Sequence, residues 1–499
     1  MVDTLSGPLA LYGLSDTTKR FLDGTVFGHV IGGKVVQSTS HETVDVFDPS
    51  SGLLIGHGAR GSIEDVNVAV ALAAKTFDDG DWRDLPPMQK ERRLHRLADL
   101  VGEHASVIAE LDTLDAGIQK GFTDFYMNLA VDMIHYFAGW PSKLRGSIPA
   151  VDKDVAVYIQ REPIGVCATV VPWNAPAMAA LSGVPALAAG NSVIVKPAEQ
   201  TPMSAVLIGQ LFAEAGIPAG ALAIVQGDGR TGQALVEHPD VAKISFTGSV
   251  DTGRRIQAAA APRLKKVTLE LGGKSPNIVF ADADLAVAAA GAQSGVWNNS
   301  GQVCTAGTRV LVERSIHDEF VAAMVEGSKD LRLGSAFDPA TQMGPLISAQ
   351  QLERVEGYVE NGKSQGAQVA LGGTRRDAEG YFFSPTIFTD VRNDMRIAQE
   401  EIFGPVMVVV PFDSESEAFA IANDTEFGLS AGVWTNDVSR AHRASRAVKA
   451  GTVWVNTYQE VSCNVPYGGF KQSGYGRNLG SESIEDYTQH KSVWMRFGR

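Results

Sequence analysis

The sequence predicts an α/β protein: a doubly wound parallel sheet followed by a second α/β domain. Five short apolar runs, Val166–Val171, Ser192–Val195, Leu222–Val225, Lys243–Phe246 and Val267–Leu271, alternate with helical stretches at 176–189, 201–215, 231–237 and 250–260. Runs of this kind suit strands buried on both faces, and helical crossovers return each strand parallel to the last. A second alternating region runs from Asn277–Phe280 to about Tyr458. Ligands of such sheets lie beyond the carboxyl ends of the strands, so functional side chains are sought there.

The elements follow in order. Thr43–Phe47 reads as a strand before the turn residues Asp48 to Gly52. Ser62-Ile63-Glu64-Asp65 opens a helix through Phe77, and Pro87 precedes another in which Leu94, Leu97, Leu100 and Val101 recur at helical spacing. Asp124–Tyr136 is a third amphipathic helix, ending at Gly139-Trp140-Pro141. After the five strands come a helix over Ile316–Leu331, a strand over Val406–Val410, a helix over Ser416–Asn423 and a strand over Thr452–Val455. Gly468–Gly480 reads as a glycine-rich loop. Val155–Ile159 and Tyr487–Phe497 are β-rich arms with no place in either α/β domain.

Composition narrows the function. At roughly 150 residues per domain, 499 residues make about three domains, enough for a large core. The net charge of −14 argues against nucleic acid and anionic membrane surfaces as partners. Three cysteines cannot form a disulfide scaffold and fit a reducing compartment. Met1-Val2-Asp3-Thr4 lacks a basic, apolar leader, and the apolar Ala175–Ala189 is interrupted by Ser182, Gly183 and Pro185. The expectation is a cytoplasmic protein.

Among the cysteines, Cys167 lies within an apolar run as a small hydrophobe, and Cys463 sits in a loop without a neighbouring base. Cys304, in the glycine-punctuated turn Gly301-Gln302-Val303-Cys304, is the candidate nucleophile, and nearby backbone N–H groups would lower its pKa. No histidine is close to it in sequence, and the ten histidines show no ligand-like spacing, so no metal is expected. Glu270, between Leu269 and Leu271 at a strand end, is the better candidate base, with a pKa raised by partial burial. Two loops could receive a pyrophosphate: Gly227–Gly232, a GxGxxG match without the acidic residue of the full fingerprint, and Thr247-Gly248-Ser249 at a helix start. Lys196 and Glu199, just past a strand, could hold ribose hydroxyls or form a solvated loop.

Together these segments resemble the aldehyde dehydrogenase superfamily, in its hydrolytic NAD(P)-dependent branch. The likeness rests on Pro172-Trp173-Asn174, Val195–Pro202, Phe246–Ser249, Leu269–Pro276, Gly301–Cys304, Glu400–Val406 and Pro466–Lys471. It implies an aldehyde dehydrogenase-like fold. Residues 1–141 and 163–272 would form the NAD-binding domain, 273–480 the catalytic domain, and 142–162 with 481–499 a small β oligomerisation element. It implies a small-molecule aldehyde substrate and assembly as a homotetramer or homodimer. Cys304 would attack the aldehyde, Asn174 and the Cys304 N–H would hold the oxyanion, and Glu270 would activate water to hydrolyse a thioester. For the cofactor, the resemblance selects Thr247, Gly248 and Ser249 for the pyrophosphate and makes Gly227–Gly232 a packing turn. Lys196 and Glu199 would meet the adenosine ribose, Glu401 and Phe403 the nicotinamide ribose, with Trp173 and Gly272 completing the lining. Glu199 favours NAD over NADP, since a carboxylate accepts bonds from a free 2′-hydroxyl and repels a 2′-phosphate.

Three departures stand out. Asn478 replaces a Glu common in the C-terminal loop of the family, the segment from Pro172 to Asn191 is one residue short, and Ala175 and Asn298 replace aromatics. Ala175 and Asn298 imply a roomier, less aromatic tunnel, with the helix Asp124–Tyr136, through Tyr126, Met127, Leu129 and Met133, lining its entrance; the same residues could equally be helix core. The competing readings are a CoA-acylating semialdehyde dehydrogenase, against which Glu270 argues, a cysteine acyl-transfer enzyme without nicotinamide, and a non-enzymatic structural protein of the same fold.

Overall fold

A computed structural model describes residues 12–23, 26–376 and 379–497; Met1 to Thr4 lie outside them. The five expected strands stand side by side and parallel in an eight-stranded sheet, in the order Lys266–Leu271, Val241–Gly248, Val166–Val170, Ser192–Lys196, Leu222–Ile224. The chain starts in the middle, winds out one way through Ser192–Lys196 and Leu222–Ile224, then crosses back to Val241–Gly248. The order therefore reverses between Val166–Val170 and Val241–Gly248, and crossovers leave a crevice at such a reversal. Val166–Val170 and Ser192–Lys196 are buried almost throughout, as their unbroken apolar sequences require.

Local sequence explains the helices around the sheet. Ser62 caps the helix Ile63–Asp78 in a reciprocal box with Asp65. Ser249 caps Val250–Ala260 by accepting the Thr252 N–H. The stretch 176–189, expected as one helix, divides into Pro176–Ala180, a 3₁₀ turn Leu181–Gly183 and Val184–Ala188. Pro185 near the start of the last piece lacks the N–H that an unbroken helix needs there. The third amphipathic helix runs longer than expected, Lys120–Ala138, and its Met127 and Met133 belong to the core beneath it.

The second sheet has seven strands, parallel except for the edge pair Gln368–Leu371 and Thr386–Thr389. Pro276–Val279, Arg309–Glu313 and Val406–Phe412 are neighbours at its centre. One apolar cluster covers each of its faces. The arms Val155–Pro163 and Thr488–Arg496 pair with each other as an antiparallel ribbon apart from both sheets, leaving Trp494 66 % exposed.

The glycine-rich tail is more than the loop the sequence suggests. Gly474–Tyr475 forms an edge strand antiparallel to Lys266–Leu271, opposite Leu269 and Glu270. Gly474 has a φ of +111°, and a Cβ there would collide with the Leu269 carbonyl, so this approach needs glycine. Among the described residues no helix is long and apolar enough to cross a membrane.

Candidate active site

A cavity of about 250 Å³ opens at the reversal point. The ends of the first sheet supply Trp173 and Asn174, then Thr247, Gly248 and Ser249, then Glu270 and Gly272. The second sheet and its connections supply Cys304, Glu401 and Phe403. Ten of the twelve candidate residues thus share one cavity. Lys196 and Glu199 do not line it: Lys196 is buried at its strand end, with Nζ 3.5 Å from the Glu199 carboxylate. Gly227 is a packing turn, because its Cβ would collide with the Thr231 hydroxyl, and Asp228 caps the helix that follows.

Cys304 is placed by an unusual approach. The helix Leu285–Trp297 ends, and Asn299, Ser300 and Gly301 follow with φ of 48°, 56° and 73°. Three successive left-handed residues are costly for L-amino acids and persist only where their surroundings hold them. Here Ser300 Oγ donates to the Gly344 carbonyl at 2.7 Å, and Asn299 Nδ2 to the Asn174 carbonyl at 3.2 Å. Gln302 accepts the Ile347 N–H on its side-chain oxygen at 2.9 Å. Gly301 lies against the Gly404 carbonyl so closely that no Cβ would fit.

Asn174 Nδ2 donates to the Gln302 carbonyl at 2.9 Å, tying the end of the first sheet to the thiol loop. An amide has two N–H donors, so one remains for the cavity. Glu270 stands beside Thr247 in register on the adjacent strand and is 3 % exposed. Neither of its carboxylate oxygens has a hydrogen-bond partner among the described residues. Burial pushes its pKa well above the usual range, as the flanking leucines imply, against a smaller downward pull from Arg477.

The thiol differs from expectation. Burial raises Cys304 to about 11, with Glu401 and Glu270 adding to the rise, whereas the Tyr467 contact and the Thr305 N–H lower it. The backbone donors inferred from the turn are present but outweighed by desolvation. Cys167, fully buried in its strand, is pushed up to about 12 by burial. Cys463 rests partly buried against the core of the first domain.

Three lining residues carry no role in the sequence reading. Tyr467 places its hydroxyl 3.0 Å from Cys304 Sγ. Gln351 and Arg354, one turn apart on the helix Ala349–Ser364, hold the 401–403 loop: Gln351 donates to the Phe403 carbonyl at 2.8 Å, and Arg354 to the Glu401 carbonyl at 2.8 Å. That grip supports Phe403 at a φ of +60°, with its ring edge-on to Trp173. The spacing of Gln351 and Arg354 on one helix face was the only sequence signal available for them. Glu401 accepts the Gly273 N–H at 3.2 Å, and burial raises it to about 7.

Of the departures, Asn478 lines the cavity and exchanges both backbone hydrogen bonds with Tyr467. Asn298 turns to Ser294 and Gln459 instead. Ala175 joins Phe122, Tyr126, Met127 and Met178 in a small apolar recess behind Asn174. Tyr126 and Met127 therefore adjoin the site, whereas Met133 is core. No histidine is among the residues lining the main cavity, and no group of three potential ligands for a metal occurs among the described residues.

Residues 35–493 match the model of the aldehyde dehydrogenase family. An aldehyde dehydrogenase of Emericella nidulans is 45% identical over 476 residues, covering 94% of this chain and 95% of that protein. The NAD+ complex of an aldehyde dehydrogenase from Bacillus cereus superposes with a TM-score of 0.96 at 41% identity, covering 98% of this chain and 100% of that one. An indole-3-acetaldehyde dehydrogenase of P. syringae, in complex with NAD+ and IAA, gives 0.93 at 41% identity, covering 96% and 99%.

The Gly301 approach yields a direct test. Gly301→Ala combines a left-handed φ with a collision at the Gly404 carbonyl and should cost more than about 1 kcal/mol of stability. Thermal or urea unfolding against the parent protein reads the loss.

Proposed function

The chain belongs to the aldehyde dehydrogenase family, and on that footing we propose that it oxidises its aldehyde through a covalent thioester on Cys304, hydrolysed with Glu270 as general base. The protein is an aldehyde dehydrogenase that uses NAD. The observation that carries the mechanistic reading is the convergence of Cys304, Asn174 and Glu270 on one cavity, with Glu270 buried and unpartnered.

Features of the cavity suit the cofactor. Thr247, Gly248 and Ser249 precede a helix N-terminus, where N–H groups and the helix dipole favour a pyrophosphate. A Cβ at Gly272 would strike the Glu401 carboxylate, so glycine keeps that carboxylate at the cavity wall. Bound NAD supplies the two-electron oxidation that converts the thiohemiacetal to the thioester.

The protein supplies the remainder. The thiolate of Cys304 adds to the carbonyl carbon, and the free N–H of Asn174 meets the oxygen as it becomes charged. In a preorganised site such a donor is worth about 3–4 kcal/mol. After oxidation, the Glu270 carboxylate takes a proton from water, whose oxygen attacks the thioester; the C–S bond breaks and the acid leaves. A general base contributes typically about 10²–10⁴-fold. A buried carboxylate with no hydrogen-bond partner has its charged form poorly stabilised, which makes it a strong base towards a water held nearby. A carboxylate placed to activate water argues for hydrolysis over transfer to CoA.

The recess is mostly apolar, through Phe122, Tyr126, Met127 and Met178, with Asp112 and Thr123 among its polar members, and favours an aldehyde without charge. Assembly would proceed through the ribbon of Val155–Pro163 and Thr488–Arg496, where Trp494 and Met495, and Phe497 just beyond, are exposed among the described residues. In this reading one sheet serves the cofactor, one the thiol, and the ribbon assembly.

The expected outcomes are these. The purified protein reduces NAD with an aldehyde from a mixed panel without CoA, and kcat/KM is higher for apolar aldehydes than for betaine aldehyde. Cys304→Ala abolishes turnover while the protein stays folded; unchanged turnover would refute the nucleophile. Glu270→Gln gives a burst of NADH and then slow turnover. In the parent protein hydrolysis weakens as pH falls through the raised pKa of Glu270, because only the carboxylate accepts a proton. Cofactor choice follows Glu199: kcat/KM is higher with NAD than with NADP, and Glu199→Ser narrows the gap. In solution the protein sediments as a dimer or tetramer, and deletion of 488–499 shifts it toward monomer.

A further inference from the structure

A thiol raised by burial has to lose its proton before it can attack, and the groups facing Cys304 offer little help. Glu270 and Glu401 are acidic and disfavour a second negative charge, and Tyr126, also buried nearby, is neutral. No histidine, lysine or arginine bonds to the sulfur among the described residues; the side-chain partner it has is the Tyr467 hydroxyl, 3.0 Å away. Tyr467 is held to that position. Its N–H and carbonyl both bond to Asn478, at 2.7 and 2.8 Å, and the residue is partly buried. The bridge fixes the Tyr467 backbone, from which the ring carries its hydroxyl to Cys304.

We propose that Tyr467 is a catalytic residue whose phenol O–H donates a hydrogen bond to the Cys304 sulfur whenever that sulfur carries negative charge. A thiolate has no proton of its own, so the hydrogen bond must come from the oxygen. The phenol keeps its proton throughout. The thiol proton leaves to a base or to water, and the O–H turns to the sulfur lone pair. The bond weakens as that pair forms the C–S bond to the aldehyde. When water has added to the thioester and the C–S bond breaks, the electron pair returns to sulfur and the same O–H meets it. One hydroxyl thus serves the attacking and the leaving thiolate.

The inference rests on Cys304 being the nucleophile, so its first test is made without aldehyde or cofactor. The free protein is alkylated with iodoacetamide over a range of pH, and the Cys304 peptide is quantified by mass spectrometry. Tyr467→Phe keeps the ring and removes the donor. It should move the alkylation midpoint up by about one pH unit or more and slow alkylation at pH 8 about tenfold. The pre-steady-state burst with aldehyde and NAD should slow by a similar factor. Site-specific 3,5-difluorotyrosine at 467 is a stronger donor of nearly the same shape and should move the midpoint down, which decides the matter even if Tyr467→Phe folds poorly. An unchanged midpoint with difluorotyrosine, or with a folded Tyr467→Phe, overturns the assignment. Turnover retained by Cys304→Ala would instead refute the nucleophile, a separate failure.

Discussion

Desolvation around a single cavity governs this site. Cys304, Glu270, Glu401 and Tyr467 all hold protons more tightly than they would in water, and burial is the largest cause for each. Arg354 and the buried Lys274 lower Glu401 without offsetting its burial. Arg477 lowers Glu270 only in part, and Arg354 spends its guanidinium on the Glu401 carbonyl. A cluster of weak acids kept largely neutral has a low cost while idle, since buried charge without a partner is expensive. Chemistry then consists of moving charge, briefly, onto atoms that already have a donor waiting.

Holding such groups together requires a frame that tolerates close approaches. Two sheets meet at the cavity, and the contacts joining them are made by backbone and small polar side chains. Asn174 reaches the Gln302 carbonyl, Asn299 reaches back to the Asn174 carbonyl, and Gly301 lies on Gly404. Two fix the thiol loop against the end of Val166–Val170, and the third fixes it against the start of Val406–Phe412. The left-handed run Asn299–Gly301 is stable only because all of these are satisfied at once.

Much of this was legible in the sequence, for identifiable reasons. The five parallel strands were plain because burial on both faces leaves unbroken apolar runs. Cys304 and Glu270 stood out because a thiol in a glycine turn and a carboxylate between leucines are chemically unusual settings. Their environments were harder to judge. The donors beside Cys304 suggested a lowered pKa, but burial acts over the whole surroundings and outweighed them. Tyr467 and the Gly474–Tyr475 strand could not be read, because each depends on partners far away in the chain and a glycine-rich segment has no periodicity to reveal pairing. Gln351 and Arg354 had the spacing of one helix face, which specifies proximity to each other and nothing about the loop they grip.

The tail strand has a bearing on the order in which the protein can be made. Glu270 and Cys304 leave the ribosome well before Gly474 and Tyr467, with most of the second sheet synthesised in between. Until that final stretch appears, the strand bearing Glu270 has an open edge and the thiol lacks its hydroxyl neighbour. Such long-range closure is slow, because its loop entropy must be met before the contacts form. A nascent chain therefore holds its reactive groups in an unfinished setting until Tyr467 and Gly474 have been made.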